Sequence, residues 1–397
     1  MLPVALIALA ALGVAAHDPI HVPLARRTHG THTVERLPRM ADFVRSRYNH
    51  PTLSSRKRAG TTTAVAITNQ QADSSYYSSI SVGGQDFQVI LDTGSSDLWL
   101  ASTNCASCPS AAPQYSPPVS ASSGGSPVTI QYGSGAVEGD LAVDTVTWAG
   151  YTVQSQTLLA VTQLTSGLLS GSVSGILGLA YQALASTNAV PLWQALTNAG
   201  DWTAPEMSFY LTRYINDFSA SANEPGGVLT LGGTNTSLYS GAIEYQNMPS
   251  SNDNTYWLLE VSAITAQGSN IAVATGANAV AAIDTGTTLI GGPTADVKKI
   301  YAAVPGAVAL TGQMEGYWGF PCETNVSITI AFGGTAWPID PADMNVGTSD
   351  TAGQCVGGIF ELDISSSSSG SGSGNGGSRR RQFPSGNPDW VVGDTFL

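Results

Sequence analysis

The chain has 397 residues with a formal net charge of −13, and only 11% of them are charged, against about a quarter in an ordinary soluble protein. Its five His (His17, His21, His29, His32 and His50) all lie in the first 50 residues, so a chain that loses its N-terminal stretch has no imidazole. That excludes a Ser-His-Asp triad, a Cys-His pair and a His-ligated zinc site, leaves carboxylates as the main proton carriers, and sets the expected working pH in the acid range.

Leu2 to Ala16 is an apolar stretch ending in the small residues Val14-Ala15-Ala16, just before the polar His17-Asp18. Residues 1–16 therefore read as a secretory signal peptide. The competing reading is a membrane anchor, for which the stretch is short of the about 20 apolar residues needed. With the signal removed, no membrane association is expected.

Residues 17–58 carry nine Lys/Arg against three acids and end in the dibasic Arg56-Lys57-Arg58. The rest of the chain holds 6 Lys/Arg against 25 Asp/Glu, a net −19. The segment reads as a basic propeptide lying on an acidic body and released by processing and acid. A basic arm for nucleic acid is the other reading of such a run; a signal peptide ahead of it argues against a nucleic-acid partner.

The body that follows is long enough for two lobes with separate cores. Its apolar runs are short, rich in Val and Ile, and bounded by Gly, Asn and Pro, as in Ala64–Ile67, Tyr77–Val82 and Val326–Ile330. That pattern predicts a mainly β protein with many turns. Two helices are expected, at Pro191–Leu196 and Ala295–Val304.

Four Cys in a secreted chain imply two disulfides with three possible pairings. The local pairing closes a small loop at Cys105–Cys108 and a larger one at Cys322–Cys355. Cys105 and Cys108 have no Lys, Arg or His near them in sequence to stabilise a thiolate, so a structural bridge is expected there rather than a redox pair. Asn235-Thr236-Ser237 and Asn325-Val326-Ser327 are glycosylation acceptors.

One tripeptide occurs twice. Asp92-Thr93-Gly94-Ser95 follows the apolar Val89-Ile90-Leu91, and Asp284-Thr285-Gly286-Thr287-Thr288 follows Val280-Ala281-Ala282-Ile283. Two carboxyls brought together by duplication cannot both ionise cheaply, so such a pair shares a proton. One member can take a proton from water while the other gives one to a carbonyl oxygen. Gly94 and Gly286 allow a tight turn behind each acid. Thr93 and Thr285 are placed to bond across the two loops, and Ser95 and Thr287 offer hydroxyls to orient each carboxylate.

The stretch Asp92-Thr93-Gly94-Ser95-Ser96-Asp97-Leu98-Trp99, the second Asp284-Thr285-Gly286-Thr287-Thr288, the segment Gln131-Tyr132-Gly133-Ser134-Gly135, and the two apolar-apolar-Gly segments Ile176-Leu177-Gly178 and Val391-Val392-Gly393 together resemble the pepsin-family aspartic endopeptidases, most closely the secreted fungal, polyporopepsin-like members. The resemblance runs from about residue 74 to the last residue. It implies an all-β, bilobal pepsin-like fold of two β-barrel-like lobes related by a pseudo-two-fold, with the cleft between them. The lobes would be 59–245 and 246–397.

It further implies that Asp92 and Asp284 are the catalytic pair. Tyr132, Gly133 and Ser134 would meet substrate from a flap hairpin, with Tyr132 bonding Trp99. Ile90, Ile176 and Thr288 would line the cleft, and Cys322–Cys355 would be the second lobe's disulfide. No cofactor and no metal is expected. The expected partners are protein or peptide substrates and the chain's own propeptide, in a monomer that is secreted or, alternatively, vacuolar. Two features depart from the family. The chain stops at Leu397, where members run on for about 25 residues, so the second lobe reads as truncated. Residues 365–378 are only Ser, Gly and Asn, followed by Arg379-Arg380-Arg381. The rival reading is a truncated, inactive pepsin-fold binding or inhibitor protein. A carbohydrate hydrolase would also use paired carboxylates, but leaves the repeated tripeptide unexplained.

Overall fold

In the computed structural model, residues 26–27, 63–70, 75–118, 126–132, 135–215, 217, 219–220, 223–249, 254–349, 353–362 and 388–397 are described. The signal segment 1–16, all of the propeptide segment but Arg26-Arg27, Gly133, Ser134 and the stretch 365–381 lie outside the described residues.

The first half is built on one sheet of eleven strands. Six of them, Ser75–Val82, Gln85–Asp92, Val173–Gly178, Leu98–Ala101, Tyr151–Leu164 and Gly135–Trp148, close into a barrel where Ser81 and Val82 pair with Thr147 and Val146. The turns follow from local chemistry. Gly83-Gly84 and Ala149-Gly150 each have positive φ at both central residues, the twist that a two-residue hairpin loop demands. Strand Val128–Tyr132 runs out along Gly135–Trp148 as a hairpin arm, with Tyr132 opposite Gly135. On the far side, Thr63–Gln70 pairs with Asn223–Leu231, and the backbone of Arg26–Arg27 lies beside Gln70 and Asn223.

The second half carries a five-stranded sheet in the order Leu258–Glu260, Val280–Ile283, Trp390–Val392, Ile290–Gly292 and Ile359–Glu361, with two four-stranded sheets packed around it. One arrangement occurs in both halves. Gln85–Asp92 runs parallel to Val173–Gly178, which is antiparallel to Leu98–Ala101. Val280–Ile283 runs parallel to Trp390–Val392, which is antiparallel to Ile290–Gly292. Val173–Gly178, Leu98–Ala101, Trp390–Val392 and Ile290–Gly292 are buried along their whole length, as strands covered on both faces are, whereas Gln85–Asp92 alternates up to its last two residues.

The two expected helices form at Leu192–Ala199 and Thr294–Ala302. Each begins directly after a proline, Pro191 and Pro293, and the first ends at Gly200 with φ 91°, a left-handed stop that glycine adopts at least cost. Separate cores serve the two halves. One contains Phe87, Leu91, Trp148 and Trp202, and the other Ile290, Tyr301, Phe320 and Trp390. Both disulfides are local. Cys105 and Cys108 are joined with Cα atoms 5.4 Å apart, and Cys322 and Cys355 with Cα atoms 4.9 Å apart. No described helix is long and apolar enough to cross a membrane.

Candidate active site

Each Asp-Thr-Gly tripeptide forms a tight loop at the end of its strand, and the two loops meet. Both carboxylates are buried, Asp92 1% and Asp284 0% exposed, so each depends on donors supplied by its own loop. Asp92 Oδ1 accepts the Gly94 N–H at 3.0 Å and Oδ2 accepts the Ser95 hydroxyl. Asp284 Oδ1 accepts the Gly286 N–H at 2.9 Å and Oδ2 the Thr287 hydroxyl at 2.5 Å. The two sets of donors match atom for atom, and they fix the plane of each carboxyl group.

The threonines cross between the loops. Thr93 Oγ1 donates to Ile283 O at 2.8 Å and accepts the Thr285 N–H at 2.9 Å. Thr285 Oγ1 donates to Leu91 O at 2.9 Å and accepts the Thr93 N–H at 3.2 Å. Four hydrogen bonds thus bind the two halves directly beneath the acids. A Cβ added to Gly94 would lie 2.6 Å from Cγ and both carboxyl oxygens of Asp284. The Asp284 carboxyl therefore lies against the bare face of Gly94, whose own N–H holds Asp92, and this brings both acids to one place.

The apolar-apolar-Gly segments lie under the loops. Leu179 N–H donates to Asp92 O at 2.8 Å and Gly178 N–H to Asp97 O at 3.0 Å. On the other side Asp284 N–H donates to Val392 O at 2.9 Å and Gly393 N–H to Leu289 O at 3.2 Å. Glycine is required in both segments by close approach. A Cβ on Gly178 would meet the Ser96 carbonyl carbon at 2.4 Å, and one on Gly393 the Thr287 carbonyl oxygen at 2.0 Å.

Tyr132 is buried and accepts a 2.6 Å hydrogen bond from Trp99 Nε1. Ile176 is buried and Ile90 half-buried in the cluster that holds Tyr132, Trp99 and Leu159. Thr288 is half-buried on the second loop, where its carbonyl accepts from Thr395 N at 2.8 Å and Thr395 Oγ1 at 2.9 Å. Asn235 Oδ1 accepts the N–H and hydroxyl of Ser237 at 3.1 and 2.7 Å, and Asn325 is exposed.

Sequence reasoning passed over Asp97. Its buried carboxylate accepts the Ser186 N–H at 2.8 Å, the Thr187 N–H at 3.1 Å and the Thr187 hydroxyl at 2.5 Å. Burial outweighs these three donors and pushes its pKa above the ordinary aspartate value. It also passed over Trp257, whose indole donates to Leu179 O at 2.9 Å while its carbonyl accepts from Ile283 N at 3.0 Å. The available signal was the aromatic pair Tyr256-Trp257 just ahead of the short strand Leu258–Glu260.

The family model for eukaryotic aspartyl proteases matches residues 75–397. The chain is 42% identical over 364 residues to the major aspartyl peptidase 1 of Cryptococcus neoformans, covering 87% of this chain and 70% of that one. It is 33% identical over 364 residues to an aspartic protease of Phaffia rhodozyma, covering 89% and 80%. The crystal structure of an aspartic proteinase from Irpex lacteus superposes with a TM-score of 0.64 at 22% identity, covering 85% of this chain and 92% of that chain; this last is a likeness of fold.

Proposed function

The chain belongs to the eukaryotic aspartyl protease family and is an aspartic-type endopeptidase, and we propose that Asp92 and Asp284 are the two acids with which it hydrolyses peptide bonds. The observation that carries this assignment is the matched setting of the two carboxyls. Each holds one loop amide and one loop hydroxyl, and the Asp284 carboxyl lies against Gly94.

The pair holds one proton between its two members. A water bound between them loses a proton to the ionised carboxylate as its oxygen attacks the scissile carbonyl carbon. The protonated carboxyl gives its proton to the carbonyl oxygen, forming a neutral tetrahedral diol. A proton then passes to the amide nitrogen, the C–N bond breaks, and a carboxylic acid and an amine leave. No enzyme–substrate bond forms, so no nucleophilic side chain is needed. The four threonine hydrogen bonds keep the two acids in register, which gives the water a fixed position.

Tyr132, held by Trp99, borders the cleft, and Gly133 and Ser134, which follow it in the sequence, meet substrate. Ile90, Ile176 and Thr288 favour bulky apolar side chains beside the scissile bond. The lobes are 59–245 and 246–397. The enzyme is made as a proenzyme with residues 17–58 as propeptide, is secreted as a monomer, is glycosylated at Asn235 and Asn325, and works in acid. The test is acid activation of the full chain, followed by haemoglobin digestion from strongly acidic to neutral pH with and without pepstatin. Pepstatin-sensitive digestion with an acid optimum supports the reading. Digestion that ignores pepstatin, or peaks at neutral pH, overturns it.

A further inference from the structure

We infer that Trp257 is a positioning residue that sets the spacing of the two aspartate loops, an inference that rests on reading Asp92 and Asp284 as the catalytic pair. Its backbone belongs to the second half. Trp257 immediately precedes strand Leu258–Glu260, which pairs with Val280–Ile283, and its carbonyl accepts the N–H of Ile283, the residue next to Asp284. Its side chain belongs to the first half. The indole packs against that half's core and donates to the carbonyl of Leu179, whose N–H in turn donates to the carbonyl of Asp92. The path from Asp284 to Asp92 therefore passes through Ile283, Trp257 and Leu179. Each link is a hydrogen bond of 3.0 Å or less, apart from the one peptide bond between Ile283 and Asp284.

This link differs from the one made by Thr93 and Thr285. The threonines tie the loops to each other through short side chains. Trp257 instead ties the strand that delivers Asp284 to the segment that supports the Asp92 loop, and does so through a rigid bicyclic plate of fixed reach. The plate is itself clamped. Its centroid is 4.6 Å from that of Tyr181 and 5.4 Å from that of Trp193, and those two rings meet edge-on at 5.2 Å. Tyr181 N–H adds a second crossing by donating to Thr255 O at 3.1 Å. Burial pushes the Tyr181 hydroxyl up to about 12, so the clamp carries no charge change in the range where the pair works.

Trp193 provides an internal control. Its indole donates to Ala180 O at 2.9 Å, the carbonyl next to the one Trp257 holds. It is a buried member of the cluster against which the partly buried Trp257 packs. Its backbone, however, belongs to helix Leu192–Ala199 of the first half and has no connection to Ile283. Both tryptophans support the fold; only Trp257 joins the two aspartate loops.

The experiment uses the acid-activated full chain. Three variants are compared: Trp257→Phe, Trp257 replaced by benzothienyl-alanine (the indole N–H exchanged for sulfur in the same shape), and Trp193→Phe. For each, kcat per inhibitor-titrated active site, KM, and the Kd of a statine-type transition-state analogue are measured. Misplacing a reacting group by about 1 Å costs up to about 100-fold in rate. Loss of the Trp257 N–H is expected to lower kcat by about 10-fold and weaken the analogue by the same factor, with KM within about twofold. Trp193→Phe keeps an aromatic ring against the Trp257 plate and removes only the bond to Ala180 O, so its loss on all three is expected to be at least about threefold smaller than that at Trp257. The sulfur analogue keeps the packing and so reports on the hydrogen bond even where phenylalanine unfolds the protein. A sulfur analogue with kcat within about twofold of the parent, or a Trp193→Phe loss equal to that at Trp257, would overturn the inference. Retained digestion by Asp92→Asn would instead strike the assignment of the pair, and the ratio between the two tryptophan sites would still be readable.

Discussion

Exchanging Thr285 for valine keeps the shape of the side chain and removes one oxygen. That oxygen donates to Leu91 O and accepts from Thr93 N, and Thr285 is 3% exposed, so water does not replace it. Two buried backbone groups lose their partner, and at about 1–3 kcal/mol for each orphaned group the variant should cost about 2–6 kcal/mol. Thr93→Val removes the mirror-image pair of bonds and should cost a similar amount. The two losses are not independent, because once either threonine lets go the loops separate and water reaches the remaining groups. The double variant should therefore cost less than the sum, with a coupling of about 1–3 kcal/mol. Urea unfolding at constant acid pH, followed by tryptophan fluorescence, measures all four corners of the cycle. Thr285→Ser restores the hydroxyl and should stay within about 1 kcal/mol of the parent. A Thr285→Val cost below about 1 kcal/mol, or a serine variant as damaged as valine, would refute the claim that these bonds bind the halves.

Gly94→Ala places a methyl group 2.6 Å from the buried Asp284 carboxyl, which must shift; kcat should fall by about 100-fold or more and stability by about 1–3 kcal/mol, read by steady-state kinetics and calorimetry. Asp97 titrates with its folded pKa raised by burial above the ordinary 3.8, so the folded state binds its proton more tightly than the unfolded state. Its contribution to stability is full below that ordinary value and is lost as pH rises through the raised one; the melting temperature of the parent relative to Asp97→Asn should fall across that window, and a difference constant with pH would contradict it. Removing the Cys322–Cys355 bridge, which spans 33 residues, should cost about 3–4 kcal/mol, and removing Cys105–Cys108, which spans 3, about 2 kcal/mol, measured by urea unfolding of the paired Cys→Ser variants.

Much of the site was legible because the chain writes its central unit twice. The repeated Asp-Thr-Gly marks both loops, and the two apolar-apolar-Gly segments mark the strands beneath them. Their glycines were marked only by the resemblance, and the structure supplies the reason for them: a Cβ there would meet Ser96 and Thr287. The first helix was legible from Pro191 at its start. Bonds between side chains and distant backbone were not. Asp97 looks like a surface acid in sequence, and only the fold brings Ser186 and Thr187 to it from about 90 residues away. Trp257 reads as an ordinary core aromatic, because the partner of its indole is a backbone carbonyl, and carbonyls have no identity in a sequence. The six-stranded closure of the first barrel rests on two residue pairs at the end of Ser75–Val82, which no local pattern announces.

The most direct test of the central claim is kcat/KM for the parent, Asp92→Asn and Asp284→Asn, each activated from the full chain and compared at equal folded concentration. Asparagine keeps the shape of each acid and an oxygen for the loop amide, puts a donor where the loop hydroxyl now donates, and cannot exchange the proton. Both variants are expected to lose activity by about 10,000-fold or more while melting cooperatively as the parent does. Either variant retaining activity within about tenfold of the parent would contradict the assignment of the two acids.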